Sequence, residues 1–422
     1  MKFIDKRTSN TTPEHIQKHA QSIDAYRRHL QNVVGNKDTH SSEYSLFLPF
    51  DKTLLSKITS IAKTYDKPEL AAIIVIGIGG SNLGTWAVFD AAIPVKRPIL
   101  FADTVDPSVI LPIITQMTEI YEDNKHVLLI VASKSGKTTE TIANFGVLVE
   151  VLKKHDPVWN DHIIAITEEN SPLWNYANKR DYRTLPIPKT VGGRYSIFSS
   201  EGLLPLALSG VNLLELTEGA QDAVTDGLSE DFSVNTSIHS AAIIFQNYLE
   251  GKTIHNTFLF GTNLFQFGQW YRQLIAESLG KNGKGITPIT TTGSTDLHSI
   301  GQLYFDGPTD KFTTFVSIDK VLFDAEITKD EQLKDLVPNI SGKNLWDVMR
   351  SIHAGVIKSY IDKPLAFVEI QLDYCDEYQI GYLLQMKMLE VMYLAQLLEV
   401  NAFDQPGVED YKTATKQYLT NS

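Results

Sequence analysis

Cysteine is nearly absent from this sequence of 422 residues, which contains Cys375 and no other. A single cysteine excludes a disulfide within the chain and any zinc or iron–sulfur site built from several cysteines. Low cysteine usage is typical of reducing compartments, so we expect a cytoplasmic protein.

Long apolar runs are absent as well. No segment approaches the roughly 18 uninterrupted apolar residues of a membrane-spanning helix. The longest candidate, 203–216, is interrupted by Pro205, Ser209 and Gly210. The first ten residues are polar and lack the apolar core of a secretory signal. We therefore expect a soluble protein with no membrane partner.

Positive charge is outnumbered by negative charge: 38 Lys and Arg residues against 50 Asp and Glu residues give a formal net charge of −12. A general nucleic-acid binder needs many cations facing phosphates, so we expect no nucleic-acid partner. A locally positive pocket for a small anion is still compatible with this balance. The hydrophobic content of 43% is typical of a globular protein. The length predicts two or three domains at about 150 residues each.

From residue 70 onward, short apolar runs alternate with segments of helical periodicity. The runs that predict strands buried on both faces are 70–80, 98–103, 126–133 and 162–167. Between them, Asp106-Pro107 is a typical helix start, and 138–155 carries apolar residues at helical spacing. This alternation predicts an α/β fold with a parallel sheet.

A second block repeats the scheme. Its predicted strands are 253–263, 285–293, 311–319 and 364–373, and its predicted helices are about 264–281, 345–361 and 378–400. The blocks share a faint echo, Gly-Ser-Asn-Leu at 80–83 and Gly-Thr-Asn-Leu at 261–264, although four residues are also compatible with chance. Near the start of the chain, Thr11 and Glu14 predict a capping box for a helix that packs across the first block.

Two stretches resemble nucleotide-binding motifs but lack a required glycine. GIGGSNLG at 77–84 has Asn82 where the dinucleotide fingerprint G-x-G-x-x-G requires glycine. SKSGKTTE at 133–140 ends like a Walker loop, but Val131 occupies the position of that loop's first glycine. Both nucleotide hypotheses are rejected.

The same two stretches still favour an anion site. In an open parallel sheet, ligands bind beyond the carboxyl ends of the strands, where helix amino ends present free N–H groups. The candidate phosphate-binding residues are Ser81, Ser133, Ser135 and Thr138, with Lys134 or Lys137 adding charge. The alternative is that these residues are only helix caps and tight turns. Two such loops in one sheet favour a phosphorylated metabolite.

Three further motifs complete a resemblance to a known family. They are GGRYS at 192–196, the segment 270–288 with Glu277 near the end of a helix, and FDQPGVEDYK at 403–412. Together with GIGGSNLG, SKSGKTTET and GSTDLHS at 293–299, their identity and order resemble glucose-6-phosphate isomerase (phosphoglucose isomerase) over about 77–412.

The resemblance implies an α/β fold of two sugar-isomerase (SIS) domains, each a mainly parallel sheet sandwiched by helices. The implied divisions are an N-terminal helical extension at 1–45, a first SIS domain at 46–225, a second at 226–400, and a C-terminal segment at 401–422 that carries an active-site lysine.

The resemblance also implies roles for individual residues. The implied phosphate site is Ser81, Ser133, Lys134, Ser135 and Thr138, and the implied sugar-lining residues are Gly80, Gly193 and Gln405. The implied catalytic base is Glu277, the charge-stabilising arginine is Arg194, and the ring-opening groups are His298 and Lys412. Lys137 departs from the family, which often has threonine there; it either strengthens phosphate binding or points to solvent, and we expect the latter.

These residue types suit the interconversion of glucose 6-phosphate and fructose 6-phosphate that the resemblance implies. A carboxylate can move a proton between C2 and C1 through a cis-enediol intermediate. An arginine can stabilise the negative charge that develops, and an imidazole, which titrates near neutral pH, can open the sugar ring. We expect neither a metal nor another cofactor.

The family further implies a homodimer in which His298 reaches the active site from the neighbouring subunit. Two alternatives stay open, a non-catalytic sugar-phosphate-binding regulatory SIS protein and a dual glucose/mannose phosphate isomerase. A regulator is expected to keep the phosphate loops and lose the catalytic groups. Here Glu277, Arg194, His298 and Lys412 are all present.

Overall fold

The computed structural model describes residues 1–92 and 95–421. Within these ranges the chain forms two five-stranded sheets with helices packed around them, which confirms the predicted α/β class. In the described ranges, no helix is both long and apolar enough to cross a membrane.

The first half of the chain builds one sheet. Its elements are β1 (Lys2–Thr8), α1 (Pro13–Ser22), α2 (Asp24–Asn36), α3 (Lys52–Tyr65), β2 (Leu70–Ile76), α4 (Leu83–Ala91), β3 (Ile99–Ala102), α5 (Pro107–Glu122), β4 (His126–Ala132), α6 (Thr139–His155), β5 (Ile163–Thr167), α7 (Pro172–Asn178), β6 (Arg183–Pro186), α8 (Ser200–Ser209) and α9 (Leu213–Gly227). The strand order of this sheet is β3-β2-β4-β5-β6, and all neighbours are parallel. β1 lies in this half of the chain but belongs to the second sheet. β2, β4 and β5 are buried along nearly their whole length, because apolar helix faces cover both sides of the sheet.

The second half repeats this arrangement. Its elements are α10 (Thr236–Leu249), β7 (Ile254–Phe260), α11 (Phe265–Leu279), β8 (Thr287–Thr292), α12 (Gly301–Asp306), β9 (Lys311–Ile318), α13 (Glu331–Leu336), α14 (Leu345–Asp362), β10 (Phe367–Leu372), α15 (Glu377–Leu397) and α16 (Glu409–Asn421). The strand order is β1-β10-β9-β7-β8. In each sheet the first strand of the block lies between the second and third, so four parallel strands follow the same order in both sheets. The fifth strands differ, because β6 is parallel to β5 whereas β1 is antiparallel to β10.

The predicted N-terminal helical extension at 1–45 contains helices α1 and α2, and it also contains a strand that was not predicted. The segment 2–8 forms β1, which pairs antiparallel with β10 and completes the edge of the second sheet. The partner strand lies more than 350 residues away in the chain, as the pairing of Phe3 with Ile370 shows. A short polar strand held by backbone hydrogen bonds to so distant a partner leaves little pattern in the local sequence.

The helix predicted after Thr11 also differs. It is two helices, α1 and α2, with Ile23 between them, and the side chain of Thr12 rather than Thr11 caps α1 by accepting from the His15 amide. Pro13 explains the shift, because proline is favoured at the first helical position, where its missing N–H is not needed. The helices pack on α10 and α15 of the second half, so the prediction that they cross the first block is wrong.

Close packing of α9 against α15 joins the two halves. A Cβ on Gly219 would overlap the carbonyl oxygen of Tyr378, and a Cβ on Gly381 would overlap that of Leu216. The two helix backbones therefore touch directly. The predicted domain boundary at 225–226 lies in the last turn of α9 and stays a prediction.

Candidate active site

Two turns from separate parts of the first half meet beyond the carboxyl end of β2. After β2, the short 3₁₀ turn Gly79–Ser81 leads into α4. A Cβ on Gly80 would overlap the backbone of Gly193 and lie 2.6 Å from the amide nitrogen of Arg194. Since only glycine permits so close an approach, Gly80 allows the β2 turn to rest against the GGRYS motif.

The loop after β4 lies beside this turn, because β4 is the neighbour of β2 in the sheet. Ser133 is 1% exposed, and its hydroxyl lies 2.9 Å from that of Thr138. Thr138 has extended backbone and is the N-cap residue of α6, so the unpaired N–H groups at the start of α6 face this loop. Burial lowers the pKa of the Lys134 ammonium, and Ser135 and Lys137 are exposed at the loop tip. Hydroxyls, ammonium groups and a helix amino end suit an anion.

Arg194 is 2% exposed and joins three parts of the chain. Its Nε donates to Ser278 Oγ at 2.8 Å, and its Nη1 donates to Gln405 Oε1 at 2.6 Å. Nη2 donates to the Ala402 carbonyl oxygen at 2.6 Å, and Nη1 also donates to Glu277 Oε2 at 3.2 Å. A guanidinium supplies this many donors in a fixed plane, whereas an ammonium does not. Arg194 therefore ties the GGRYS turn to α11 and to the C-terminal segment.

Glu277 lies in the last turn of α11 with its side chain 30% exposed. Its Oε2 accepts from Arg194, and its Oε1 accepts from Gln273 Nε2 at 3.0 Å. α11 packs against α4, and this contact places the end of a second-half helix beside the loops of the first sheet. A carboxylate oriented by two donors and still open to a cavity can act as a proton acceptor.

These groups line one cleft of about 610 Å³. The predicted site residues that line it are Gly80, Ser81, Lys134, Ser135, Thr138, Gly193, Arg194, Glu277, Gln405 and Lys412. Ser133 lies behind them, in contact with Thr138. The structure thus brings together residues from the β2 turn, the β4 loop, the GGRYS turn, α11 and the C-terminal segment.

The start of α16 forms one wall of the cleft. Lys412 Nζ lies 2.7 Å from Glu409 Oε1, and its side chain is 40% exposed. The hydrogen bond from Lys412, and then its charge, lower the pKa of the Glu409 carboxyl. Tyr411 and Lys416 line the same wall. The Lys412 ammonium group therefore lines the same cleft as Glu277.

His298 is the predicted residue that the structure does not bring to the cleft. It is exposed and ends the short 3₁₀ turn Thr295–His298 that follows β8. Of the described residues that line the cleft, none belongs to this turn. The prediction that His298 acts in the site of a neighbouring subunit stays a prediction.

Sequence reasoning missed Gln273. It lies four residues before Glu277, which is one helical turn, so the spacing along α11 was the available signal. Lys137, expected to point to solvent, is exposed and also lines the cleft. Among the residues that the structure describes, no group of three or more His, Cys, Asp or Glu side chains is placed to hold a metal ion.

The chain is similar to members of a known protein family. The family model described as phosphoglucose isomerase matches residues 11–313. The chain is 35% identical over 357 residues to a probable glucose-6-phosphate isomerase of Methanococcus maripaludis, covering 83% of this chain and 79% of the relative. It is 34% identical to a glucose-6-phosphate isomerase of Methanocaldococcus jannaschii, covering 81% and 82% of the two chains.

A solved structure is similar over nearly the whole chain. It is a hypothetical protein of Thermus thermophilus, with a TM-score of 0.88 and 29% identity, covering 96% of this chain and 97% of that one. Both sheets and the segments that border the cleft therefore occur together in another protein.

Proposed function

The chain belongs to the phosphoglucose isomerase family and interconverts glucose 6-phosphate and fructose 6-phosphate, and from this premise we propose how its residues share the reaction. The neighbouring loops after β2 and β4 bind the phosphate. Glu277 moves the proton, and Arg194 stabilises the charge that develops. Neither a purely regulatory role nor a mannose phosphate activity is favoured by an observation of this structure.

The phosphate role rests on the chemistry of the two loops. Ser81, Ser133 and Thr138 supply hydroxyls, Lys134 supplies charge, and the amino end of α6 supplies free N–H groups. Hydrogen bonds to a charged group contribute about 1.5–3 kcal/mol each. Holding the phosphate at these loops fixes the distance from the sugar carbons to the far side of the cleft.

The proton transfer is assigned to Glu277. As a carboxylate it takes the proton from C2 of the open-chain aldose, giving an enediol, and returns that proton to C1. Arg194 Nη1, which already touches both Glu277 and Gln405, lies where negative charge on the enediolate oxygens develops. A fixed cation in a partly dehydrated site stabilises such charge strongly.

Ring opening is assigned to Lys412 and His298. Lys412 lines the cleft, whereas His298 lies on an exposed turn outside it. We propose a homodimer in which His298 of each copy completes the cleft of the other. Mixing His298→Ala and Glu277→Gln chains tests this, because hybrid dimers regain part of the activity if one intact site forms, and no regain contradicts it.

The observation that carries the proposal is the Glu277 carboxylate, held between Gln273 and Arg194 and facing the hydroxyl-lined loops. Glu277→Gln keeps the shape of the side chain and removes the base. We expect kcat in a coupled assay of fructose 6-phosphate formation to fall by about 10²–10⁴-fold.

The same variant should bind inorganic phosphate as well as the wild type does, since the loops are unchanged. Glu399→Gln, an exposed substitution, is the matched control and should leave kcat unchanged. A Glu277→Gln enzyme with near wild-type turnover would show that another group is the base.

A further inference from the structure

Glu201 has no part in the reaction described above, although it lies directly behind the phosphate loops. It is the second residue of α8, the helix that follows the GGRYS turn, and is 2% exposed. The side chain of Ser199 caps this helix by accepting from the Glu201 amide. The chain therefore buries an ionisable carboxyl next to the cleft.

Three polar groups lie close enough to the Glu201 carboxyl to favour its charged form. They are the hydroxyls of Ser81 and Ser196 and the ammonium of Lys134. Ser196 already donates to the Gly193 carbonyl oxygen at 2.7 Å. Neither carboxyl oxygen has a hydrogen-bond partner of normal geometry among the described residues. A buried carboxylate without fixed donors is costly, so this group is sensitive to any change in its surroundings.

Burial raises the pKa of Glu201 to about 6, against the opposing effects of the two serine hydroxyls and Lys134. Lys134 is affected by its surroundings in turn. Its burial, Arg194 and Lys189 lower the pKa of the Lys134 ammonium, whereas Glu168 and Glu201 raise it. The negative charge of Glu201 therefore competes with the substrate's phosphate for the Lys134 ammonium group.

We propose that Glu201 is a positioning residue that couples phosphate binding to the uptake of one proton, an inference that rests on the proposed phosphate site. With the cleft empty, the Ser81 hydroxyl and the Lys134 charge help to stabilise the ionised Glu201 carboxyl, although no fixed hydrogen bond holds it. When the substrate's phosphate takes these two groups, the carboxylate accepts a proton from solvent, because two anions that share the same donors cannot both stay ionised at low cost. The neutral carboxylic acid then leaves Lys134 to the phosphate.

This coupling predicts a specific dependence of KM on pH. Below pH 6 Glu201 is already protonated and affects KM little. Above pH 6 the proton must be taken up on binding, so KM rises relative to an enzyme that lacks the carboxyl. Each unit by which phosphate raises the pKa of Glu201 corresponds to a tenfold change in affinity.

The test compares KM for fructose 6-phosphate in the wild type and Glu201→Gln from pH 5.5 to 8. The ratio of the two KM values cancels the ionisation of the substrate phosphate itself. We expect the ratio, wild type over variant, to be near one at pH 5.5 and roughly 3- to 10-fold at pH 8. We expect kcat to change less than twofold. The exposed neighbour variant Glu169→Gln is the control, and its ratio should stay near one throughout.

Calorimetry supplies a second readout. Titration of inorganic phosphate in two buffers of different ionisation enthalpy at pH 7 should show more protons taken up by the wild type than by Glu201→Gln. If Glu201→Gln does not fold, Glu201→Val removes the same charge and should give the same ratio.

Two outcomes contradict different claims. A KM ratio that is flat with pH, together with a lower Tm, would make Glu201 only a structural acid at the start of a helix and would overturn this inference. Unchanged KM in Ser81→Ala and Ser133→Ala would instead overturn the phosphate site itself.

Discussion

The two sheets share a strand order but contribute to the cleft in different ways. In the first sheet, the loops after β2 and β4 form the site. In the second, the turn after β7 has a similar sequence, Gly261 to Leu264, yet none of its residues is among those of the described chain that line the cleft. From the second half, the far end of α11, with Glu277 and Gln273, reaches the cleft together with the start of α16. The same arrangement of strands and helices thus supplies strand-end loops to the cleft in the first half of the chain and a helix end in the second half.

Packing explains this difference. α11 lies against α4 and also contacts both the Gly79–Ser81 turn and the Gly193–Tyr195 turn. The second sheet is therefore oriented so that one of its helices, rather than its strand ends, faces the first sheet's loops. In the proposed mechanism, phosphate binding belongs to loops of the first half and proton transfer to Glu277 of the second, so substitutions in each half should act on different kinetic constants.

The largest effect is expected where the two turns of the first half touch. Gly80→Ala places a Cβ 2.6 Å from the Arg194 amide nitrogen and in overlap with Gly193, so the turns must separate and Arg194 must move. Since a displacement of about 1 Å can cost 100-fold in rate, we expect kcat/KM to fall by at least that factor in the coupled assay.

The control for this change is Gly146→Ala in α6, where a Cβ meets nothing within 4 Å. It should keep full activity and be slightly more stable, because alanine favours the helix over glycine by up to about 1 kcal/mol. Normal activity in Gly80→Ala would mean that the two turns tolerate separation.

A smaller effect should distinguish the two matching turns. Ser81→Ala in the first half removes a hydroxyl that lines the cleft, and we expect KM for fructose 6-phosphate to rise roughly tenfold or more with kcat nearly unchanged. Thr262→Ala at the corresponding exposed position of the second half should change neither constant. Equal effects of the two substitutions would contradict the functional difference between the sheets.

The smallest effect concerns stability rather than activity. His255 in β7 is fully buried, with Nε2 2.9 Å from Thr314 Oγ1, and burial lowers its pKa to about 3. Because the unfolded imidazole titrates near 6.5, the unfolded state binds more protons as pH falls from about 6.5 toward 3. Stability is therefore lost over that window and is unaffected by this group above it.

His255→Gln should flatten the dependence of Tm on pH between 6.5 and 4.5, even if Tm at pH 7 falls through poorer packing. The exposed His40→Gln is the control and should keep the wild-type slope. An unchanged slope in His255→Gln would assign the acid sensitivity to other groups, such as His126 in β4 or His353 in α14, whose pKa values burial also lowers, to about 4.

Much of the fold was predictable because its strands are continuous apolar runs. β2, β4 and β5 lie within the predicted ranges, since burial on both faces demands apolar residues at every position. β6 was missed, because its four residues RTLP are short and half polar. β1 was missed because its pairing with β10 spans almost the whole chain.

The site residues also divide into those that a local sequence pattern identifies and those that it does not. Ser81, Thr138 and Lys134 were identified because small, hydroxyl-bearing loops at strand ends are a local pattern with a known physical use. Glu277 and Arg194 were identified through the family resemblance, since each taken alone is an ordinary charged residue. Glu201 gave no signal, because nothing in its local sequence distinguishes a buried carboxyl from a solvated one at a helix start.

By itself, the sequence determined where most strands and helices form and which loops carry anion-binding groups, because periodicity, capping and turn chemistry act over a few residues. The tertiary structure alone decided that Arg194, Glu277 and Gln405 meet within hydrogen-bonding distance and that Glu201 is buried behind Lys134. These contacts join segments up to 211 residues apart. They depend on how α11 packs on α4 and α9 on α15, which is a property of complementary surfaces rather than of any one segment.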